Sequence, residues 1–241
     1  MSVWAVLAAA GRGERLGRVA DSAAGQGPAA PPSQDRPKAF AQLQGRPLLA
    51  ESLERLEASA WVDSIVVVAP PGWEEPVILL AEELGCGKVV ASVAGGESRA
   101  ASVRIGVGEV PDDAAVILVH DAARPLVSEP VLERLIEALN EGWDGAVPGL
   151  ALADTVKRVR EDAVVETLPR GELRAVQTPQ AFVASVLREA VANGDEATDC
   201  SGLVEARGGR VTVVEGDPLL LKVTTADDLA RVESWIRGSE A

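Results

Sequence analysis

The sequence has one histidine, two cysteines and no tyrosine among 241 residues. Cys86 and Cys200 make neither a disulfide framework nor a CxxC metal site, and each reads as a small core residue. A lone His120 cannot build a His-rich zinc centre. Ser-His-Asp catalysis would need it as the base, and no Gly-x-Ser-x-Gly elbow supplies the nucleophile. Five Trp and two Phe are too few for the exposed platforms on which single-stranded nucleic acid stacks. Basic residues are the minority, 23 Lys plus Arg against 37 Asp plus Glu, for a formal net charge of −14. A duplex-binding face needs the opposite balance, so no nucleic-acid partner is expected. No apolar run approaches the ~20 residues of a membrane helix. Met1–Ala10 is apolar, but no basic segment precedes it and Gly11-Arg12-Gly13-Glu14-Arg15 follows at once. It reads as a buried strand, not a signal peptide, and the expected location is the cytoplasm.

What is present is an apolar fraction of 47%, enough for one large core. Val-rich runs recur: Val3–Ala9, Ser64–Ala69, Lys88–Ser92, Ala114–Val119 and Gly145–Pro148 read as short strands buried on both faces. Helical patterns lie between them, at Pro47–Ser59, Trp73–Leu84, Ser98–Gly108 and Glu129–Glu141, the last with Ser128 as N-cap and Pro130 in its first turn. This alternation implies βαβ units in an α/β fold with a doubly wound, mainly parallel, Rossmann-like sheet. Arg210–Val214 and Leu219–Val223 read as further strands, and Thr225-Ala226-Asp227-Asp228 as a capping box opening a last helix. Two segments break the rhythm. Residues 18–36 are rich in Ala, Pro, Gly and Ser without hydrophobic period and read as a flexible, lid-like insert. Residues 154–178 contain two alternating runs, Thr155–Val159 and Val164–Leu168, that suggest a protruding β-arm. A ribbon of that kind is marginal alone, which points to a homodimer.

Four constellations carry chemistry. The first strand runs into Ala10-Gly11-Arg12-Gly13-Glu14-Arg15, a loop at the C-terminal edge of the sheet where ligands bind. Small residues there let backbone N–H groups approach an anion, and Arg15 adds a forked cation. The spacing is neither the dinucleotide fingerprint nor a P-loop, and a tight strand-to-helix turn would use the same residues. Pro37 stiffens the backbone before Lys38, as suits a lysine that must be aimed, although most surface lysines are simply solvated. Gly95-Gly96-Glu97-Ser98 opens a helix with Ser102 one turn in, a pattern suited to reading the edge of a flat base or to an ordinary helix start. Finally, His120-Asp121-Ala122-Ala123-Arg124-Pro125 leaves a buried strand with an Asp and an Arg three apart. They could hold a hydroxyl and a phosphate, or pair with each other.

Taken in series, these residues resemble the 2-C-methyl-D-erythritol 4-phosphate cytidylyltransferase family. The resemblance rests on Leu7-Ala8-Ala9-Ala10-Gly11-x-Gly13-x-Arg15, Pro37-Lys38, Gly95-Gly96-x-x-Arg99-x-x-Ser102-Val103 and His120-Asp121-Ala122-Ala123-Arg124-Pro125. It continues through Asp154-Thr155-x-Lys157, Gln177-Thr178-Pro179-Gln180-x-Phe182, Thr198-Asp199 and Glu215-Gly216-Asp217 leading to Lys222-Val223-Thr224, in order from residue 3 to 229. It implies a single nucleotidyltransferase domain over residues 1–241 that converts CTP and methylerythritol phosphate into the CDP-alcohol and pyrophosphate with Mg²⁺. Arg15 and Lys38 would steady the CTP phosphates and the transition state. Ala9, Ala10, Gly11, Gly13, Gly95, Gly96, Glu97 and Ser102 would contact the nucleotide. Asp121, Arg124, Thr155, Arg170, Thr198 and Lys222 would hold the methylerythritol phosphate, with Thr155 and Arg170 reaching into a neighbouring subunit's site. No metal ligand is assigned.

The sequence departs from the family pattern in places: Leu220-Leu221 stands where Asn-Ile is usual, Ala39 replaces a Gln, Arg174 an aromatic and Cys200 an acid. The connection from Gly17 to Pro37 is longer than expected. Competing readings are a ribitol 5-phosphate cytidylyltransferase, an enzyme using GTP or UTP, and a non-catalytic nucleotide-binding module.

Overall fold

The computed structural model describes residues 1–11 and 37–239. Its strands and helices, in chain order, are β1 (Val3–Ala8), β2 (Gln42–Leu43), β3 (Arg46–Pro47), α1 (Leu48–Ala58), β4 (Ser64–Ala69), α2 (Glu74–Glu83), β5 (Val89–Ala94) and α3 (Arg99–Gly108). They continue as β6 (Val116–Asp121), α4 (Glu129–Asn140), β7 (Gly145–Ala151), β8 (Val156–Arg160), β9 (Ala163–Leu168), β10 (Arg174–Val176) and β11 (Gln180–Val183). The chain closes with α5 (Ala184–Ala192), α6 (Cys200–Glu205), β12 (Val211–Glu215) and α7 (Ala226–Ser239). The expected 18–36 insert lies outside the described residues.

The central sheet is mixed and mostly parallel. β6, β1, β4 and β5 are parallel neighbours, as are β7 and β12, while β11 joins β6 to β7 antiparallel. β10 and β11 follow one another along the same edge of β7, pairing with its last and first residues respectively. Alternation along each strand sends successive side chains to opposite faces. Val3, Ala5 and Leu7 of β1, with Ile65 and Val67 of β4 and Leu118 of β6, pack under α1, α2 and α4. Val6, Val66, Val68, Ile117 and Val119 pack under α3, α5 and α6. A near-continuous Val/Leu run is therefore what a strand covered on both faces requires. A third, smaller core seats Val232 of α7 on Leu43 and Leu48.

Three expectations are corrected. Leu219–Val223 forms no strand. Leu220 and Val223 are buried, but the backbone is held by isolated bonds and not by a strand ladder, among them Leu220 N to Asp217 O and Val223 N to Ala123 O. Ser128 stands at the N-cap of α4 without capping it, its hydroxyl donating instead to Asp217. The ribbon β8–β9 forms a two-stranded sheet of its own as expected, but Arg174–Val176 pairs into the central sheet and does not belong to the arm. Among the described residues, no helix is long and apolar enough to cross a membrane.

Candidate active site

The parallel strands β1, β5 and β6 deliver their C-terminal ends to one edge, and the loops that follow them border a cleft of about 530 Å³. Each loop is pinned by its first backbone donor: Ala9 N to Val68 O, Gly95 N to Ala69 O and Ala122 N to Ala8 O. The approach is close at Gly95, where a Cβ would lie 2.3 Å from the Ala10 Cβ and 3.0 Å from the Ser102 Oγ. Only glycine lets the two loops meet. Ser102, buried one turn into α3, accepts from Gly96 N at 3.1 Å and donates to Ser98 O at 2.9 Å. Its hydroxyl shapes the turn, a more structural task than reading a base edge.

Two lysines enter this cleft from separate segments. Lys38 begins a 3-10 turn, Lys38–Phe40, whose next two residues are buried; the Phe40 ring lies 4.3 Å from that of Trp73, centroid to centroid. Lys222 projects from the segment anchored by Leu220 and Val223. Beyond it, one carboxylate oxygen of Asp228 accepts from Thr224 N, Thr224 Oγ1 and Thr225 N. Those bonds, the Thr224 hydroxyl foremost, lower the Asp228 pKa to about 2. Asp228 N in turn donates to the Thr225 hydroxyl, completing the expected capping box.

Asp121 ends β6 at the cleft floor. Arg99 donates from Nε to its Oδ1 at 3.0 Å, with Nη2 in ion-pair contact with the same oxygen at 3.0 Å, and Lys222 donates to Oδ2 at 2.7 Å. Burial alone would raise its pKa; the two cations outweigh burial and hold the carboxyl well below the usual range. His120, one residue earlier, is 0% exposed. Its Nε2 lies 3.0 Å from the Arg124 carbonyl and its Nδ1 3.2 Å from the Thr178 hydroxyl. Because Thr178 Oγ1 also accepts from Asp121 N at 3.0 Å, its proton goes to Nδ1, and Nε2–H donates to Arg124. Burial lowers the His120 pKa to about 4, so the ring is neutral and sealed, which removes it as a catalytic base.

Of the residues expected from the sequence, Ala9, Ala10, Gly11, Lys38, Gly96, Glu97, Ser102, Asp121 and Lys222 line the cleft together, with Gly95 directly behind. Gly13 and Arg15 lie outside the described residues. Arg124 does not line the cleft; its Nη1 donates to Leu220 O at 2.6 Å, and its buried Nε has no hydrogen-bond partner among the described residues. Thr155 and Arg170 stand at the root of the β8–β9 ribbon, both exposed and outside their own chain's cleft, with Arg170 bonded to Ala153 O. Thr198 is exposed outside it too, while neighbouring Asp199 caps α6 and takes a bond from Gln180. Three polar residues of the wall were given no task by the sequence reading: Ser98, which caps α3, Arg99, which pairs with Asp121, and Thr224. Arg99 stood in a recognised motif, but nothing in its neighbours announced a partner 22 positions away.

Known proteins resemble this chain along nearly its whole length. The family model for 2-C-methyl-D-erythritol 4-phosphate cytidylyltransferase matches residues 3–238. The chain is 42% identical over 236 residues to the protein of that name from Nocardia farcinica, covering 98% of this chain and 94% of the relative. It is 44% identical over 239 residues to that of Saccharopolyspora erythraea, covering 97% and 99%. The crystal structure of the Thermus thermophilus protein of the same name superposes with a TM-score of 0.74 at 33% identity, covering 98% of this chain and 100% of the other.

Proposed function

We infer the reaction from membership: the chain belongs to the 2-C-methyl-D-erythritol 4-phosphate cytidylyltransferase family, and it transfers the cytidylyl group of CTP to 2-C-methyl-D-erythritol 4-phosphate, releasing pyrophosphate, in isoprenoid synthesis. The observation that carries this reading to the atomic level is the convergence of the Ala9–Gly11 loop, the Gly95–Ser102 turn, Lys38 and the Asp121–Lys222 pair on one cleft. The acceptor's phosphate oxygen attacks the α-phosphorus as the bond to pyrophosphate breaks. A phosphate monoester has a second pKa of about 6 and reaches the enzyme ionised, so no side chain must remove a proton. That suits a site whose histidine is neutral and buried. The obstacle is a dianion approaching a polyanion, and positioned cations lower it.

In this reading the slot of the cleft beside the Ala10–Gly95 contact takes the cytosine, mainly through backbone groups. Lys38 faces the triphosphate and the charge developing on the leaving group, a task shared with Arg15. Asp121 and Lys222 hold the hydroxyl and phosphate of methylerythritol phosphate, completed by Thr155 and Arg170; Arg124 braces the Lys222 segment through Leu220 O, and Thr198 stands outside the cleft. The placement of Thr155 and Arg170 outside their own cleft supports delivery of the arm to a second copy of the chain. The exposure of Val159, Val164 and Val165 on the ribbon supports the same homodimer. We further propose one nucleotidyltransferase unit, consistent with a family match from 3 to 238, and a cytoplasmic location, consistent with two free buried thiols. The net charge of −14 supports a role without nucleic-acid partners.

Mg²⁺ fits this donor set as a companion of the nucleotide. Among the described residues no group of three His, Cys, Asp or Glu side chains could cage a metal ion, and Asp121 already has both oxygens engaged. Mg²⁺ needs only one or two carboxylates when phosphates supply the remaining oxygens. Held there chiefly by the triphosphate, with Glu97 as a carboxylate of the cleft wall, it would neutralise phosphate charge.

The test is pyrophosphate release from CTP with methylerythritol phosphate and ribitol 5-phosphate compared side by side. Turnover should follow the first acceptor, and preference for the second would replace the reading. In the same assay Lys38→Ala should lower kcat by roughly 10²–10³, the scale of one lost electrostatic donor. Turnover within a few-fold of wild type would remove Lys38 from its role.

A further inference from the structure

Of the three cations lining the cleft among the described residues, Lys38, Arg99 and Lys222, only Arg99 is left without a task by the reaction as assigned. It opens α3 directly after the Gly95–Ser98 turn and reaches across to β6, where Nε and Nη2 both grip Oδ1 of Asp121 at 3.0 Å. Lys222 holds the other oxygen through one contact of 2.7 Å. These two cations are not equivalent. The guanidinium is a rigid fork engaged twice on one atom, and its side chain is 27% exposed. The ammonium sits on a flexible stem at 39% exposure and can rotate away at the loss of a single contact. Arg99 Nη1 lies 3.7 Å from the Cys200 sulfur. That thiol is kept protonated by burial and is a weak acceptor, so it does not compete with Asp121 for the fork.

We propose that Arg99 is a positioning residue acting through Asp121: it keeps the carboxylate charged and oriented by Oδ1 while Lys222 leaves Oδ2 for the acceptor's phosphate, so that Oδ2 receives an acceptor hydroxyl. The inference rests on the assignment of Asp121 and Lys222 to methylerythritol phosphate. Without Arg99, departure of Lys222 would leave a nearly buried carboxylate with no cation paired to it, a state that burial strongly disfavours. Lys222 would then be tied to Asp121 and unavailable to the phosphate. With Arg99 in place, the exchange of one anion for another at Lys222 leaves Asp121 unchanged. A lysine at position 99 would keep the charge but could not reproduce the fork.

Steady-state kinetics of Arg99→Ala, Arg99→Lys, Asp121→Asn and the Arg99→Ala/Asp121→Asn double variant, by pyrophosphate release, test this. Arg99→Ala should raise KM for methylerythritol phosphate roughly 10- to 100-fold, the worth of charge-assisted hydrogen bonds. KM for CTP should stay within about twofold, and the double variant should match Asp121→Asn within about twofold, because a residue acting through Asp121 has nothing left to act on. Arg99→Lys should fall between wild type and Arg99→Ala. A merely structural role predicts otherwise: α3 carries the nucleotide-side turn, so loosening it would raise KM for CTP at least as much. An equal rise in both KM values, or losses that multiply in the double variant, overturns the proposal. If Arg99→Ala does not fold, Arg99→Lys alone and combined with Asp121→Asn carries the same comparison. Failure of the wild-type enzyme to use methylerythritol phosphate would overturn the underlying assignment instead, and is seen before any variant is made.

Discussion

His120 sits wholly buried against Asp121, with its two ring nitrogens committed to Arg124 O and Thr178 Oγ1. A neutral ring is the form this pocket accepts, and burial has moved its pKa from 6.5 down to about 4. The unfolded chain therefore binds a proton more readily than the folded one between those values. Stability from this residue is complete above pH 6.5 and declines as the pH falls toward 4, by about 3 kcal/mol in all. Asp121, also lowered, works in a separate window, with its contribution present above the ordinary carboxylate value of 3.8 and lost below it. Thermal melts between pH 7 and 4 should show a midpoint falling by roughly 6–12 °C from His120, at 2–4 °C per kcal/mol for a chain of this size. His120→Asn should flatten that decline, and an unchanged slope would place the acid sensitivity elsewhere. Side chains of this kind mark how far residue types alone carry. Lys38 was legible because Pro37 precedes it and Asp121 because a buried strand ends there. Arg99 was not, since one arginine at a helix start resembles any solvated arginine until β6 is placed beside it. Gln177, Thr178 and Gln180 were legible as a motif and not as clamps, because their partners, Asp217, His120 and Asp199, are distant in sequence.

The elements that position the cleft were legible where burial is two-sided and periodic. β1, β4 and β6 announce themselves as apolar runs, and α1, α2, α3 and α4 fall within a residue or so of their expected bounds. The stretch from β11 through α6 was less so: β11 is four residues long and α6 six, too short for a period to develop. Leu219–Val223 misled because apolar composition records burial and not hydrogen-bonded pairing. The most demanding element is α3, which meets the sheet through Gly106, where a Cβ would come within 2.5 Å of Val6 Cγ1 and 2.6 Å of Val68 Cγ2, and meets the first loop through Gly95. These two glycines should separate stability from binding. Gly106→Ala overpacks the core and should cost about 1–3 kcal/mol in denaturant unfolding. Gly95→Ala pushes the turn off Ala10 at the nucleotide slot and should weaken CTP binding roughly tenfold or more in calorimetry, about 1.4 kcal/mol per factor of ten. Unaltered CTP affinity in folded Gly95→Ala would remove the cytosine from that slot.

On the scale of the molecule, the arm is the part that one chain does not explain. Among the described residues β8–β9 pairs only with itself, and three of its valines are more than half exposed. A two-stranded ribbon is marginal in water without something to lie against, and an exposed apolar ribbon invites self-association. Arg170 and Thr155 stand at its root, away from the cleft of their own chain. If a two-fold dimer delivers them to the other cleft, every site is composite, built from the Lys38 of one chain and the Arg170 of the other. That predicts an outcome no single-chain site can give. Lys38→Ala and Arg170→Ala homodimers should each be nearly inactive, one for want of the cation at the triphosphate, the other for want of the acceptor's clamp. Mixed by co-refolding, half the dimers carry one of each chain. Within such a dimer one cleft has lost both residues and the other has kept both, so about a quarter of wild-type activity should return. If each cleft used its own arm, no pairing of the two variants could assemble an intact site and activity would stay at the level of the parents. Complementation near a quarter, with a dimer mass by light scattering, would establish the shared site; absence of recovery in a mixture shown to contain heterodimers would assign Arg170 to its own chain.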